Sequence, residues 1–411
     1  MSDLDIARIK ADFPILKTQV EGKRLVYLDS ASSSQKPQAV LDAMDEVYRT
    51  HYANIHRGVY RIAEQSTAEY EAARRKVAAF VNARETEEII FTRNATESIN
   101  LVAYTWARAN LREGDVIVLS HLEHHANVVP WHMLAAERGV QLRWIPLTAD
   151  YRLDTSKLDE LLAGAKLLAI SAMSNVLGTL NDIATLAAAA HSAGAHVLVD
   201  ASQYAPHVAT DVQAWDADFV AITAHKMLGP SGIGALWARR ELLEAMPPFL
   251  GGGEMIRDVR LDGFTTNDVP WKFEAGTMPI VEAIGFGAAV DYLNALGMDA
   301  VRAHEVSLTH YALDALTGRF GDDFHIYGPL DVTQRGGAVS FLFDDIHAHD
   351  ISQVLDEDAV CVRAGHHCAK PLMRQLGVPA TTRASFYVYN DEADVDALVD
   401  ALVKAKKFFT Q

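Results

Sequence analysis

Two residues separated by one β-rich run carry the first chemistry of this chain. Asp200 ends HVLVD, and Lys226 lies beyond the next run, in ITAHKMLGPSGIG. In that small, polar, glycine-rich turn, flanked by His225 and Gly229, an amine can approach a planar aldehyde without obstruction. A carboxylate beside a pyridine nitrogen keeps the ring protonated and makes it a better sink for carbanion electrons. Together they are the equipment for pyridoxal 5'-phosphate, with Lys226 as the Schiff-base lysine and Asp200 as the partner of the ring nitrogen. Taken singly, Lys226 reads as a solvated loop lysine and Asp200 as a helix cap. Their joint occurrence favours the cofactor.

A cofactor phosphate wants uncharged donors and a helix N-terminus. RNATES, after the run EIIFT, offers both through the first-turn N–H groups of Ala95 and Thr96 and the Thr96 hydroxyl, although Thr96 alone reads equally well as a cap. Thr223 and His225 add donors next to the lysine. SHLEHHANVVPW follows the run DVIVLS, and ligands bind at the carboxyl ends of parallel strands, so His124 or His125 can stack on the ring and move protons. The alternative for either is a surface histidine at a helix start.

The second reactive stretch is VRAGHHCAKPLM. Cys368 follows two histidines that favour a thiolate, and Gly365 lets the loop bend. A metal site is the rival reading of HHC. Adjacent residues rarely aim three ligands at one tetrahedral ion, and no second Cys/His cluster accompanies them, so no metal is expected. Cys361, in the apolar run AVCV, reads as a buried small hydrophobe. Arg383, opening RASFYVYN, can bind a carboxylate through its planar fork.

The elements that must hold these residues follow from pattern. Between Leu25 and Ala238, β-rich runs (EIIFT, DVIVLS, QLRWIPL, KLLAIS, HVLVDA, FVAIT, GALWAR) alternate with helical stretches such as ATESINLVAYTWARAN and IATLAAAAHSAG, the latter stopped by Gly194. That is the signature of an α/β fold with a mostly parallel sheet. The glycine-rich GGGEMI breaks the regularity. Helices from about Ile280 to Arg319 then lead to an α+β layer: strand GGAVSFLF, helix HDISQVLD, strands AVCVRAG and RASFYVYN, and helix EADVDALVDALVKAKKFF. The expected division is a segment 1–24, a large lobe 25–295 and a small lobe 296–411. With 411 residues, 49% of them apolar, the chain can bury a large core. A formal charge of −17 argues against nucleic acid, the absence of a long apolar run argues against a membrane span, and two cysteines suit a reducing, cytoplasmic setting.

With these motifs in order, the chain resembles the cysteine desulfurases among the fold-type I pyridoxal-phosphate enzymes, specifically the group II branch. The likeness runs from DFPIL and LVYLDSASSSQKP through NIHRGVY, RNATESIN, EHHANVVPW, SNVLGT, VDASQ, ITAHKMLGPSGIG, GGGEMI and FEAGT to RAGHHCAKPLM and RASFYVYN. It implies Lys226 as the cofactor lysine, Asp200 at the ring nitrogen, Gln203 at the phenolic oxygen and His124 for stacking. Thr96, Thr223 and His225 match phosphate-binding positions, and Thr277 one that reaches the phosphate of a neighbouring subunit, hence a homodimer. Asn175 and Arg383 match substrate-carboxylate positions, Arg363 and His56 other active-site positions, and Cys368 the persulfide-forming nucleophile. The implied reaction turns L-cysteine into L-alanine, with L-selenocysteine as a further substrate. The sulfur would go to an acceptor protein of iron–sulfur cluster assembly, in some members zinc-bearing; His349, at a helix start, is a candidate contact, although a surface histidine is the commoner reading. The chain departs from the pattern at Thr223-Ala224, where serine and glycine are frequent, at Ser32, where alanine is usual, and at Met278, where proline is common. Two alternatives stand beside this reading. Another pyridoxal-phosphate lyase or aminotransferase would explain Lys226 and Asp200 but not Cys368, and a non-catalytic sulfur carrier would lack bound-cofactor absorbance.

Overall fold

The computed structural model describes residues 4–343 and 346–409. Seven strands form its central sheet: β1 Ile89–Thr92, β2 Val116–Ser120, β3 Gln141–Ile145, β4 Ala165–Ser171, β5 His196–Asp200, β6 Phe219–Thr223 and β7 Gly234–Ala238. They lie in the order β1-β7-β6-β5-β4-β2-β3, and β7 alone runs antiparallel to its neighbours. The sheet is apolar on both faces because helices cover both. Along β4, Leu168 and Ile170 enter one core cluster while Leu167 and Ala169 enter the other. The α/β class with a mostly parallel sheet is therefore as expected.

Helices α1 Gln38–Thr50, α2 Arg61–Phe80, α3 Ala95–Val102, α4 Ile183–Ser192 and α5 Ile280–Leu296 belong to this lobe. The long α6, Met298–Phe320, leads into a second, antiparallel sheet of β8 Phe324–Tyr327, β9 Ala338–Phe343, β10 Arg363–Gly365 and β11 Thr381–Ser385, ordered β8-β9-β11-β10. Helices α7 Ala348–Asp356, α8 Lys370–Leu376 and α9 Glu392–Phe409 complete it around Phe341, Phe343, Leu398 and Leu402. No single helix among the described residues is long and apolar enough to cross a membrane.

Several elements differ from the sequence reading. The run AVCVRAG splits: Val360–Cys361 pairs in parallel with Val26–Tyr27, while β10 joins the second sheet. Its apolar half serves the lobe core and its polar half the cavity. RASFYVYN leaves the sheet at Ser385, because Phe386 packs in the small-lobe core while Tyr387, Val388 and Tyr389 pack in the large-lobe core. ATESINLVAYTWARAN is helical throughout but widens into a π-turn at Ala103–Ala107. Strand β8, helices α1 and α2, and the hairpin Ile256–Arg260 with Gly263–Thr266 were not anticipated.

The start of the chain ties the lobes together. Lys10 pairs with Asp391 (2.6 Å) and Asp394 (2.9 Å) on the small lobe, while Asp12 accepts from Tyr292 of α5 (2.8 Å). Val26 and Leu28 pack in the small-lobe core, and Ala31 and Ser32, just beyond, reach the cavity described next.

Candidate active site

The carboxyl ends of the parallel strands converge on one cavity of about 200 Å³. β1 delivers Asn94 and Thr96, β2 delivers His124, β4 delivers Ser171, β5 delivers Asp200 and Gln203, and β6 delivers Thr223, His225 and Lys226. Lys226 ends a 3-10 turn, Ala224–Lys226. The turn is tight: a Cβ on Gly229 would meet the Ala224 carbonyl oxygen at 3.0 Å, and one on Gly234 would come within 2.7 Å of the Ile222 carbonyl oxygen and 2.9 Å of Asn94 Cα. These glycines serve close packing as much as access for an amine.

Burial pushes the Lys226 amine down to about 8, against the opposing pull of Asp200. Asp200 is 5% exposed, and its Oδ1 accepts the Ser202 N–H (3.0 Å). Burial, then the neighbouring Lys226, lowers His124 to about 4; its Nδ1 accepts the Ala126 N–H (3.0 Å). His125 has the same strand behind it but turns away, so of the two histidines His124 alone lines the cavity. His225 is likewise held at about 4 by burial, with Lys226 and Lys36 adding to it, and stays a neutral donor. Gln203 Nε2 donates to the Ala31 carbonyl (2.7 Å). The cap of α3 is Asn94, whose Oδ1 accepts the Glu97 N–H (3.0 Å), leaving Thr96 in the first turn rather than at the cap.

The small lobe closes the cavity with two arginines. Buried Arg383 donates through Nη1 to the Asn175 carbonyl (2.8 Å) and through Nη2 to Asp29 Oδ1 (3.0 Å) and Ser32 Oγ (2.8 Å). Its Nε is buried with no partner. Arg363 donates through Nη1 to the same Ser32 Oγ (2.9 Å), and its Nη2 lies 3.6 Å from Cys368 Sγ. Asn175 Nδ2 is committed to the His367 carbonyl (2.7 Å).

Four expected residues do not line the cavity: Cys368 sits just outside its lining, reached through Arg363 Nη2 at 3.6 Å, and three others lie elsewhere within this chain. His56 hydrogen-bonds Glu71 (2.9 Å) against Tyr70 and Trp271, outside the cavity lining. Thr277 is exposed, and so is His349, whose N–H meets the ring of His347 (3.3 Å). Cys361, with a half-buried thiol pushed up by burial, is not among the residues lining the cavity.

The model of the class-V aminotransferases matches residues 26–398. The chain belongs to the class-V aminotransferase family. Within it, the chain is 52% identical to a probable cysteine desulfurase of Streptomyces coelicolor, covering 99% of this chain and 98% of that one, and 48% identical to one of Halobacterium salinarum at 99% and 98% coverage. Among solved structures, the S-sulfonic acid form of an Escherichia coli cysteine desulfurase superposes with a TM-score of 0.91 at 42% identity, covering 99% of this chain and all of that one. The apo cysteine desulfurase of Thermococcus onnurineus superposes at 0.94 with 37% identity and the same coverage.

The pyridoxal phosphate of class-V enzymes fits the residues present. Thr223 Oγ1 is buried without a hydrogen-bond partner and lines the cavity, and Ala95 and Thr96 hold the unsatisfied N–H groups of a helix start beside it. A neutral His124 ring and the Asp200 carboxylate line the same cavity. Sequence reasoning missed Glu123, whose buried carboxyl accepts from Ser120 Oγ (2.5 Å), Asn127 Nδ2 (2.7 Å), Ser171 Oγ (2.6 Å) and Ser171 N–H (3.1 Å) directly behind His124. Burial raises it to about 7 despite these donors. His367, expected from the sequence to favour a Cys368 thiolate, instead is a neutral buried ring, lowered to about 2 by burial and the two arginines and bonded to Thr381, so it brings no positive charge to the thiol.

Proposed function

We propose that this chain desulfurates L-cysteine with pyridoxal 5'-phosphate held on Lys226 and the sulfur received by Cys368. The observation that carries this reading is one cavity bordered by Lys226 and Asp200 on one side and, on the other, by Arg363 reaching within 3.6 Å of the Cys368 sulfur. When bound, pyridoxal phosphate supplies a conjugated ring that takes up the electron pair released at the substrate α-carbon. Asp200 holds a proton at the ring nitrogen and Gln203 donates to the phenolic oxygen. His124 covers the ring face and relays protons. Thr96, Thr223 and His225 grip the phosphate.

Once the substrate amine has taken its place, the freed Lys226 amine, near 8, keeps a neutral fraction close to neutral pH with which to remove the α-proton. Arg383, whose Nε lacks a partner, binds the substrate carboxylate with Asn175 beside it, and Arg363 steadies the sulfur. The Cys368 thiolate attacks the substrate sulfur: an S–S bond forms as the carbon–sulfur bond breaks, and the substrate carbon, taking the electron pair and a proton, leaves as L-alanine. Cys368 retains a persulfide. L-selenocysteine is processed in the same cavity. The persulfide sulfur passes to an acceptor protein of iron–sulfur assembly in the cytoplasm, with exposed His349 meeting an acceptor of the zinc-bearing kind.

In this reading the enzyme is a homodimer of chains divided at residues 24/25 and 295/296. Exposed Thr277 reaches the partner's phosphate, and His56 stands at the shared edge. The exposed apolar side chains Tyr48, Tyr52, Val59 and Tyr60 support such a face. The deciding experiment mixes the protein with L-cysteine and a thiol reductant and follows alanine and sulfide. Equal yields from wild type, abolished in Cys368→Ala with the cofactor still bound, are expected; full turnover in the variant would refute the role of Cys368.

A further inference from the structure

Cys368 sits on neither helix nor strand but in the turn between β10 and α8. Two successive residues there, His367 (φ +49°) and Cys368 (φ +56°), occupy the left-handed region that favours glycine. Such backbone persists only where its surroundings over-determine it. Asn175 Nδ2 holds the His367 carbonyl (2.7 Å), and His367 Nε2 donates to the Thr381 carbonyl (3.1 Å). A further anchor holds the backbone that leaves the cysteine. The His125 backbone N–H donates to the Cys368 carbonyl (2.8 Å), and its ring Nε2 accepts the Lys370 N–H (3.0 Å). An amide N–H can only donate, so the second bond needs the Nε2 lone pair of a neutral imidazole.

We propose that His125 is a positioning residue for Cys368, a latch on the cysteine loop that closes when its ring is neutral and opens when the ring takes a proton. This rests on the desulfurase reading and names a control on its sulfur-accepting step. The groups facing the ring are His366, with centroids 5.9 Å apart, and Lys370 on α8; His124 lies 6.3 Å away on the same segment. Burial and these two facing groups hold His125 below its ordinary range, so the latch is closed at neutral pH. As pH falls, the imidazolium presents N–H at both nitrogens, the Lys370 bond is lost, and Cys368 leaves its strained backbone geometry beside Arg363.

The test uses holoenzyme carrying His125→Ala or His125→Gln, the latter offering an amide oxygen that mild acid does not remove. Three quantities are read: backbone hydrogen exchange across residues 366–372, persulfide formed on Cys368 from L-cysteine, and exchange of the α-hydrogen of L-alanine with deuterated water, which needs Lys226 but not Cys368. The expected result for His125→Ala is faster loop exchange and roughly tenfold slower persulfide formation, with alanine exchange retained. His125→Gln should recover both and flatten the acid limb of the wild-type pH profile. Wild-type loop protection in His125→Ala, no recovery in His125→Gln, or parallel loss of alanine exchange would overturn the latch. A wild type that exchanges alanine yet forms no persulfide would instead sink the desulfurase reading, with loop exchange still judging the latch.

Discussion

One hydroxyl joins the two guanidiniums at the cavity mouth. Ser32 Oγ accepts from both Arg363 and Arg383 and donates to Asp29 Oδ1 (2.7 Å). Ser32→Ala should loosen both arginines while sparing Lys226. A lost hydrogen bond of about 1 kcal/mol corresponds to a roughly fivefold rise in KM for L-cysteine through Arg383, with a fall in kcat through Arg363, checked by steady-state kinetics with circular dichroism as a folding control. Ser32 was visible in the sequence only as a departure from a pattern, because the two arginines it joins lie more than three hundred positions away. Lys226 and Asp200 were legible for the opposite reason: each sits at the end of its own strand, and neighbouring parallel strands bring such ends together. Glu123 stayed hidden, since its burial depends on Ser171 arriving from β4.

At the scale of elements, the site depends on how closely β7 approaches the start of α3. Gly234 opens β7, where an added Cβ would meet the backbone of both Ile222 and Asn94, neither of which can swing aside. Gly234→Ala should cost about 1–3 kcal/mol of stability and push the α3 N-terminus off the phosphate position. Thermal unfolding and pyridoxal phosphate titration would both register it; unchanged cofactor affinity would refute the link. Most strands of the central sheet were legible because they are short apolar runs bounded by turns, while β3 mixes Gln141 and Arg143 with apolar residues at the sheet edge. The second sheet was read less well. In AVCVRAG two sheets share one run, and in RASFYVYN aromatic side chains serving two cores imitate the alternation of a strand.

For the whole molecule, Val59 is 94% exposed, flanked by Tyr60 and accompanied by Tyr48 and Tyr52. If this face joins two subunits, Val59→Asp should give monomers in sedimentation velocity and lose cofactor absorbance on gel filtration, because Thr277 would no longer reach a partner. A dimeric variant with full cofactor would refute that placement. A different consequence lies in the pairing of Val26–Tyr27 with Val360–Cys361. During synthesis the early strand leaves the ribosome with its edge unpaired and waits for nearly the entire chain before its mate appears. Arg363 and Arg383 arrive later still. If Lys226 and Cys368 act as proposed, the lysine is synthesised well before Cys368 and the two arginines, so the sulfur-handling half of the site is the last to be made.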